Sequence, residues 1–310
     1  MGKIEMKGLG GPILLLGCQG QLGWQLQRDL APLGPVVALD RRGCDLADLD
    51  QVRRVVRENR PSLVVNAAAY TTVDKAEVEP ELARRINAEA VGLLAEEAKL
   101  LDALLVHYST DYVFDGRQPL PYTETMTTGP LSVYGRTKLE GEDAIRAIAG
   151  RALIFRTSWV FGARGANFVK TILRLAAERD SLRVVDDQVG SPTPAALIAT
   201  VTGMVLARDR QDHQGVETYH LAAANPVSWN VFARAIVACA QRTPGFSLKL
   251  TPDAIAPIPS ADYPLPAPRP ANSRLDCRKL EAAFGLTMPD WLPYLERMMQ
   301  LLALKAQNGY

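Results

Sequence analysis

A short apolar run, Ile13 to Leu16, ends in the loop Gly17-Cys18-Gln19-Gly20-Gln21-Leu22-Gly23, and helical spacing from Leu22 to Leu30 follows at once. Few folds accept a strand, a glycine-spaced turn and a helix in that order. The glycines permit a tight turn and the close approach of a pyrophosphate. The helix aims its free N–H groups and positive dipole end at the same place. Asp40 closes a second strand-like run, Val36 to Asp40, twenty residues after Gly20. An acid at that distance suits the adenosine ribose of a dinucleotide. Three spaced glycines alone also fit a plain turn. The strand before them, the helix after them and the acid beyond them select the dinucleotide.

The alternation continues. Leu49 to Asn59 is helical and stops before Pro61, Leu63 to Ala68 is strand-like, and Pro80 to Leu101 reads as one long helix. Ala103 to Tyr108 is an apolar strand, Gly135 to Ile148 a helix, and Leu153 to Phe155 again a strand. Strands alternating with helices predict an α/β fold, a doubly wound parallel sheet covered on both faces. Beyond about residue 160 the pattern loosens. Phe168 to Glu178 and Leu292 to Lys305 read as helices, and the proline-rich stretch Pro252 to Pro270 as irregular surface chain. The expected organisation is a flexible tail over 1–11, a dinucleotide-binding domain over 12–160 and a smaller, mainly substrate-binding domain over 161–310. The chain is expected to cross back at least once.

Composition removes other classes. Lys and Arg number 35 against 34 Asp and Glu, so no basic excess exists to hold a nucleic-acid backbone. No apolar run approaches the length of a membrane span. Cys18, Cys44, Cys239 and Cys277 form no CxxC pair and have no neighbouring His, which fits a reducing cytoplasm and neither a disulfide framework nor a zinc site.

Tyr134 and Lys138 lie four residues apart at the start of a helix, on one face, roughly 6 Å apart at Cβ. A phenol has a pKa of about 10, and a nearby ammonium is expected to lower it. Such a Tyr gives a proton to a carbonyl oxygen while a hydride reaches the carbon. Ser109-Thr110-Asp111-Tyr112-Val113-Phe114 follows the Ala103–Tyr108 strand, where open α/β sheets place their sites. A hydroxyl there steadies the charge that develops on the carbonyl oxygen. A helix edge and a Ser/Thr turn are the plainer readings of these two runs taken singly. Their occurrence together, behind the glycine loop, favours chemistry.

The glycine loop, the run Asn66-Ala67-Ala68-Ala69-Tyr70-Thr71-Thr72-Val73-Asp74-Lys75-Ala76-Glu77, the Ser109–Gly116 run and Tyr134/Lys138 resemble extended short-chain dehydrogenase/reductases. More narrowly they resemble the dTDP-4-dehydrorhamnose reductase family. The likeness continues through Arg156–Phe161, Asp187–Thr193 and Arg269–Leu275, and spans nearly the whole chain from residue 13. It implies a Rossmann-type fold and NAD(P)H-dependent reduction of the C4 ketone of dTDP-4-dehydro-L-rhamnose. Another nucleotide-sugar reductase or epimerase, and a non-enzymatic dinucleotide-binding subunit like the β-subunit of methionine adenosyltransferase, are the alternatives.

The resemblance implies roles by position. Gly17, Gly20, Gln21, Leu22, Gly23 and Asp40 would hold the dinucleotide. Asp45 and Leu46 would flank the adenine, and Ala67, Ala68 and Ala69 would line the cofactor beside Tyr134 and Lys138. Thr110, Tyr134 and Lys138 would be the catalytic set. Asp111 and Trp159 would join Thr110 at the substrate, although a large aromatic after a strand also suits packing. Asn167, Arg269 and Arg274 are looser candidates for a diphosphate. Asp40 favours NADH, whereas Arg41 and Arg42 could pair with a 2′-phosphate or form a plain solvated turn; NADPH is the expectation, with NADH possible, and the residues themselves leave the choice open. His107 reads as a buried core residue.

One departure matters. Some family members share a divalent ion across a dimer through carboxylates, one just after the glycine-loop Trp. Here Gln25 follows Trp24, and Ala196 stands where another acid is expected. An amide and a methyl do not make a hard-cation site. The expectation is no metal, with a monomer or a metal-independent homodimer.

Overall fold

The computed structural model describes residues 11–148, 150–209 and 212–307. The tail expected over 1–11 lies outside the described residues, apart from Gly11.

The first half runs β1 (Ile13–Leu16), α1 (Gln21–Leu30), β2 (Val36–Leu39), α2 (Leu49–Asn59), β3 (Leu63–Asn66), α3 (Val73–Ala76), α4 (Pro80–Arg84), α5 (Ala90–Leu100), β4 (Leu104–Thr110), α6 (Val133–Ile148) and β5 (Ala152–Thr157). The second half runs β6 (Val160–Phe161), α7 (Phe168–Glu178), β7 (Leu182–Val185), β8 (Val189–Gly190), β9 (Thr193–Pro194), α8 (Ala195–Asp209), β10 (Val216–His220), β11 (Val227–Ser228), α9 (Trp229–Arg242), β12 (Ile255–Ile258), β13 (Asn272–Ser273), α10 (Arg278–Phe284) and α11 (Leu292–Gln307).

The main sheet has the order β10-β5-β4-β3-β1-β2, and every pairing in it is parallel. Both faces are covered, because each strand splits its side chains between two apolar clusters. Leu15, Val65 and Val106 join Leu26 of α1 and Ile198 and Val205 of α8. Leu14, Val64 and Leu105 join Val52 of α2, Leu94 of α5 and Ile145 of α6. Burying one such Leu or Val contributes roughly 1.5–3 kcal/mol. Phe232 and Ile236 of α9 belong to the first cluster, and β10 is the sheet's edge beside β5. The later chain therefore returns to the sheet twice, through α8 and through β10.

Two elements differ from expectation. The helix read over Pro80–Leu101 is broken by a π turn at Arg85–Glu89. Asn87 in that turn is buried. Its Nδ2 donates to the carbonyl of Tyr70 at 3.0 Å and to Thr137 Oγ1 at 3.2 Å, and its Oδ1 accepts from Tyr70 N–H at 2.9 Å. These bonds outweigh regular winding and tie the loop after β3 to α6. The Pro252–Pro270 stretch is not wholly irregular, since Ile255–Ile258 pairs with β7 as a two-stranded sheet. Pro257 is tolerated because that small sheet is all edge.

Candidate active site

The order of strands reverses between β1 and β3. The chain runs to β2 on one side of β1 and to β3, β4 and β5 on the other. Open parallel sheets bind ligands outside the carboxyl ends of their strands at such a switch point. The glycine loop leaves β1 and Ala67–Ala69 leaves β3, so the two runs flank the crevice.

The loop's backbone is built for close approach. Gly17 has φ +79°, and a Cβ there would lie 2.8 Å from Ala68 N. A Cβ on Gly23 would lie 2.1 Å from the Gly17 carbonyl, so α1 is pressed against its own turn. Gly20 caps α1 without a side-chain hydrogen bond. The first-turn N–H groups of Gln21 and Leu22 thus face the crevice as an anion cradle. These residues fit a pyrophosphate.

Asp40 follows β2, and its Oδ1 accepts from the N–H groups of Arg42 at 3.0 Å and Gly43 at 3.2 Å. Asp45 accepts from Arg41 at 3.0 Å and from Ala47 N–H at 3.0 Å. Burial pushes its carboxyl up, but Ala47 and Arg41 outweigh that and hold it below the usual range. Leu46 is buried in the cluster under α2 and α5.

Thr110, Asp111 and Tyr134 meet at the carboxyl end of β4. Thr110 Oγ1 donates to Asp111 Oδ1 at 3.0 Å and accepts from Tyr112 N–H at 3.2 Å. Tyr112 meets the Tyr134 ring edge-on with centroids 5.5 Å apart. Gly135 lets α6 begin directly against this turn, because a Cβ there would lie 2.2 Å from the Tyr112 carbonyl. Burial pushes the Asp111 carboxyl up to about 6, against the lowering effect of Ser273 and Thr110.

The electrostatics differ from expectation. Lys138 was expected to lower the Tyr134 phenol. Burial instead pushes that phenol up to about 12, with Thr110 acting in the lowering direction. The reason is visible at Lys138, whose Nζ turns to His107 Nε2 at 3.0 Å and donates to the Tyr108 carbonyl at 2.7 Å. Burial brings this lysine down to about 8, while Glu142 one turn further along α6 favours its charge. His107, read from sequence as a core residue without an identified partner, is fully buried and has two, Lys138 and Asn66.

The looser candidates each have protein partners. Arg269 pairs with Asp74, and Arg274 donates to Asn272 Oδ1 and to the Pro119 carbonyl. Asn167 caps α7, and its Nδ2 donates to Gln21 Oε1 at 2.8 Å, which ties α7 to the start of α1. Trp159 stacks on Trp229 with centroids 3.5 Å apart and holds a left-handed φ of +47°. A non-glycine residue in that conformation is held there by its surroundings.

Sequence reasoning passed over two features. Arg164 lies over the Trp24 ring at 3.7 Å and donates to Gln19 Oε1 at 2.7 Å, closing the β6–α7 loop onto the glycine loop. Arg156 and Glu142 form a buried bidentate pair at 2.9 and 2.7 Å behind the site. Neither has a local pattern; both depend on segments that meet only in the fold. Gln25 lies on α1 and Ala196 on α8. Among the described residues no group of three or more His, Cys, Asp or Glu is gathered where it could hold a metal ion. No helix among them is long and apolar enough to cross a membrane.

Comparison with known proteins agrees with this geometry. A family model described as the RmlD substrate binding domain matches residues 11–304. The dTDP-4-dehydrorhamnose reductase of Burkholderia thailandensis is 48% identical over 283 residues, covering 90% of this chain and 95% of its own. That of Escherichia coli K12 is 46% identical over 296 residues, covering 94% and 97%. A solved dTDP-4-dehydrorhamnose reductase of Bacillus anthracis, in complex with NADP, superposes with a TM-score of 0.84 at 35% identity, over 93% of this chain and 98% of that one.

Proposed function

The chain belongs to the RmlD family of dTDP-4-dehydrorhamnose reductases, and from that premise we propose how its own residues carry the reaction. It is an NAD(P)H-dependent oxidoreductase that reduces the C4 ketone of dTDP-4-dehydro-L-rhamnose to the alcohol of dTDP-L-rhamnose.

Gly17, Gly20, Gln21, Leu22 and Gly23 hold the dinucleotide's pyrophosphate, and Asp40, Asp45 and Leu46 hold its adenosine end. Ala67, Ala68 and Ala69 give it a flat bed at the end of β3. NADPH is the preferred cofactor, with Arg42 on the 2′-phosphate; the Bacillus anthracis relative was solved with NADP. When bound, the cofactor supplies the hydride for C4.

The protein supplies the proton. Thr110 ends β4, and Tyr134 opens α6 against the turn that follows, its ring edge-on to Tyr112; this juxtaposition carries the reading. Both hydroxyls are placed to hold one carbonyl oxygen, and Tyr134 gives that oxygen its proton as the C4–O bond becomes single. Lys138 stands behind Tyr134 and governs how readily the phenol releases that proton. Asp111 fixes Thr110, and Trp159 closes the sugar side. Residues 12–160 serve chiefly the cofactor and 161–310 chiefly the nucleotide-sugar. We place the enzyme in the cytoplasm as a monomer or metal-independent homodimer. The intact Thr110–Tyr134–Lys138 set disfavours a non-enzymatic regulatory subunit.

The direct test supplies dTDP-4-dehydrorhamnose with NADPH and follows NADPH absorbance. The expected product is dTDP-L-rhamnose, identified by NMR. Absence of NADPH oxidation with this substrate would overturn the reading.

A further inference from the structure

Trp159 follows the end of β5, two residues beyond Thr157, which is paired in register with Thr110. Its backbone holds a left-handed φ of +47°, a conformation that a bulky side chain keeps only when its surroundings compensate. The Trp159 carbonyl accepts the Thr193 N–H at 3.2 Å, and the Ser158 hydroxyl donates to the Ser191 carbonyl at 3.0 Å. From this anchored turn the indole enters a slot. One wall is Trp229, with ring centroids 3.5 Å apart and planes 9° from parallel. The other wall is Gly190, where a Cβ would lie 2.6 Å from Trp159 Cε2, 2.8 Å from Nε1 and 2.9 Å from Cζ2. Cε2 lies between Nε1 and Cζ2 in the ring, so an atom at the rim would meet those two first. An atom nearest Cε2 stands over the face. The face on which Trp229 lies has no room for it, so Gly190 covers the opposite face.

Both walls stand on one small sheet. β8 ends in Gly190 and pairs with β13 on one side and with β11 on the other, where Val227 is opposite Gly190. β11 runs directly into α9, whose first residue is Trp229. Ser228 caps that helix by accepting the Val231 N–H, and its hydroxyl donates to Asp186. Phe168 of α7 backs the Trp229 ring at 4.5 Å.

With both faces covered, Trp159 has no face to offer a sugar. It keeps its rim, whose one polar group is the Nε1–H, a donor only. That N–H has no hydrogen-bond partner among the described residues, whereas Trp291 Nε1 donates to the Asn225 carbonyl at 2.8 Å. Taking Trp159 as the sugar-side wall of the reductase site described above, we propose that it recognises the deoxysugar by donating its Nε1–H to one of the sugar oxygens, and that Trp229 and Gly190 are positioning residues that aim this donor from opposite faces. A donor fixed in direction discriminates, because a sugar without the matching oxygen leaves it unpaired. An open ring face would tolerate that loss.

The chain has four tryptophans, so the indole 1H–15N spectrum is simple, and Trp159→Phe assigns the Trp159 signal. Adding dTDP-L-rhamnose should move that signal downfield, as a new hydrogen bond does, and dTDP alone should leave it in place. Trp229→Leu removes one wall, and Gly190→Ala pushes on the ring from the other. Each variant should abolish the sugar-dependent shift and weaken dTDP-L-rhamnose binding about fivefold, the net worth of one hydrogen bond, while dTDP affinity stays unchanged. Trp229→Phe keeps a stacking ring and should restore most of both. In turnover, KM for dTDP-4-dehydrorhamnose should carry the loss and KM for NADPH should not. A purely structural role would lower Tm and weaken dTDP-L-rhamnose and dTDP alike. That outcome, or a Trp159 signal that the sugar does not move, overturns the proposal. Should one variant fail to fold, the wild-type spectrum and the other variant decide. Absence of wild-type turnover with dTDP-4-dehydrorhamnose would sink the reductase reading, whereas turnover with an unmoved Trp159 signal sinks this assignment alone.

Discussion

Arg269 donates two hydrogen bonds, each 2.8 Å long, to the carboxylate of Asp74 across 195 residues of chain. The pair joins the loop after β3 to the Arg269–Leu275 run. It is bidentate, a geometry that Lys does not reproduce. Arg269 holds the Asp74 carboxyl below the usual range, with Ala267 N–H assisting. Asp74 is 39% exposed, so the pair is partly screened. Arg269→Lys should cost about 1 kcal/mol, lowering Tm by roughly 2 °C. A depressed carboxyl stabilises above its unfolded value and loses that effect as pH falls through its folded one. The gap between wild type and variant should therefore be full at neutral pH and close below about pH 4. Thermal melts across that range test it; a gap that persists in acid would assign the cost to packing.

Tyr134→Phe keeps the ring against Tyr112 and removes the transferable proton. General acid catalysis contributes roughly a hundred- to ten-thousand-fold. A loss of kcat in that range is expected, with NADPH affinity measured by fluorescence largely intact. A variant that keeps most of its kcat would mean that another group donates the proton.

The two arginines after Asp40 should separate. Arg41 is held by Asp45 at 3.0 Å, whereas Arg42 contributes its backbone N–H to Asp40. Arg42→Ala should raise KM for NADPH about tenfold, the ~1.4 kcal/mol of one charge-assisted contact, and leave KM for NADH unchanged. Arg41→Ala should do less to either cofactor. Equal effects of Arg42→Ala on both cofactors would place it on the solvated surface.

What the sequence made legible is local. The glycine loop, the hydroxyl run at the end of β4 and the Tyr134/Lys138 spacing each lie within a few residues, and their chemistry needs only strand, turn and helix. The Asn66–His107–Lys138 chain needs the register of β3 on β4 and the placement of α6 above them. No spacing within one segment encodes either. The Tyr134 shift was read with the wrong sign because proximity along the helix suggested an ion effect, while burial dominates once the site is assembled. Arg269 and Arg274 look like free phosphate ligands in a sequence, and their carboxylate and carbonyl partners appear only in three dimensions.

The last prediction concerns metal. Some relatives are expected to bridge two subunits through a divalent ion, and Mg²⁺ needs oxygen ligands, usually with one or two carboxylates to offset its charge. Gln25 on α1 offers a neutral amide, and its Oε1 already accepts from Arg28 at 3.4 Å. Ala196 on α8 offers no ligand at all. The net charge of +1 supplies no acidic field to compensate. EDTA should leave both kcat and hydrodynamic size unchanged, and Mg²⁺ add-back should do nothing. Activity assays and light scattering before and after chelation make the test. Dissociation or loss of turnover on chelation, reversed by Mg²⁺, would mean that other carboxylates have taken over the bridging site.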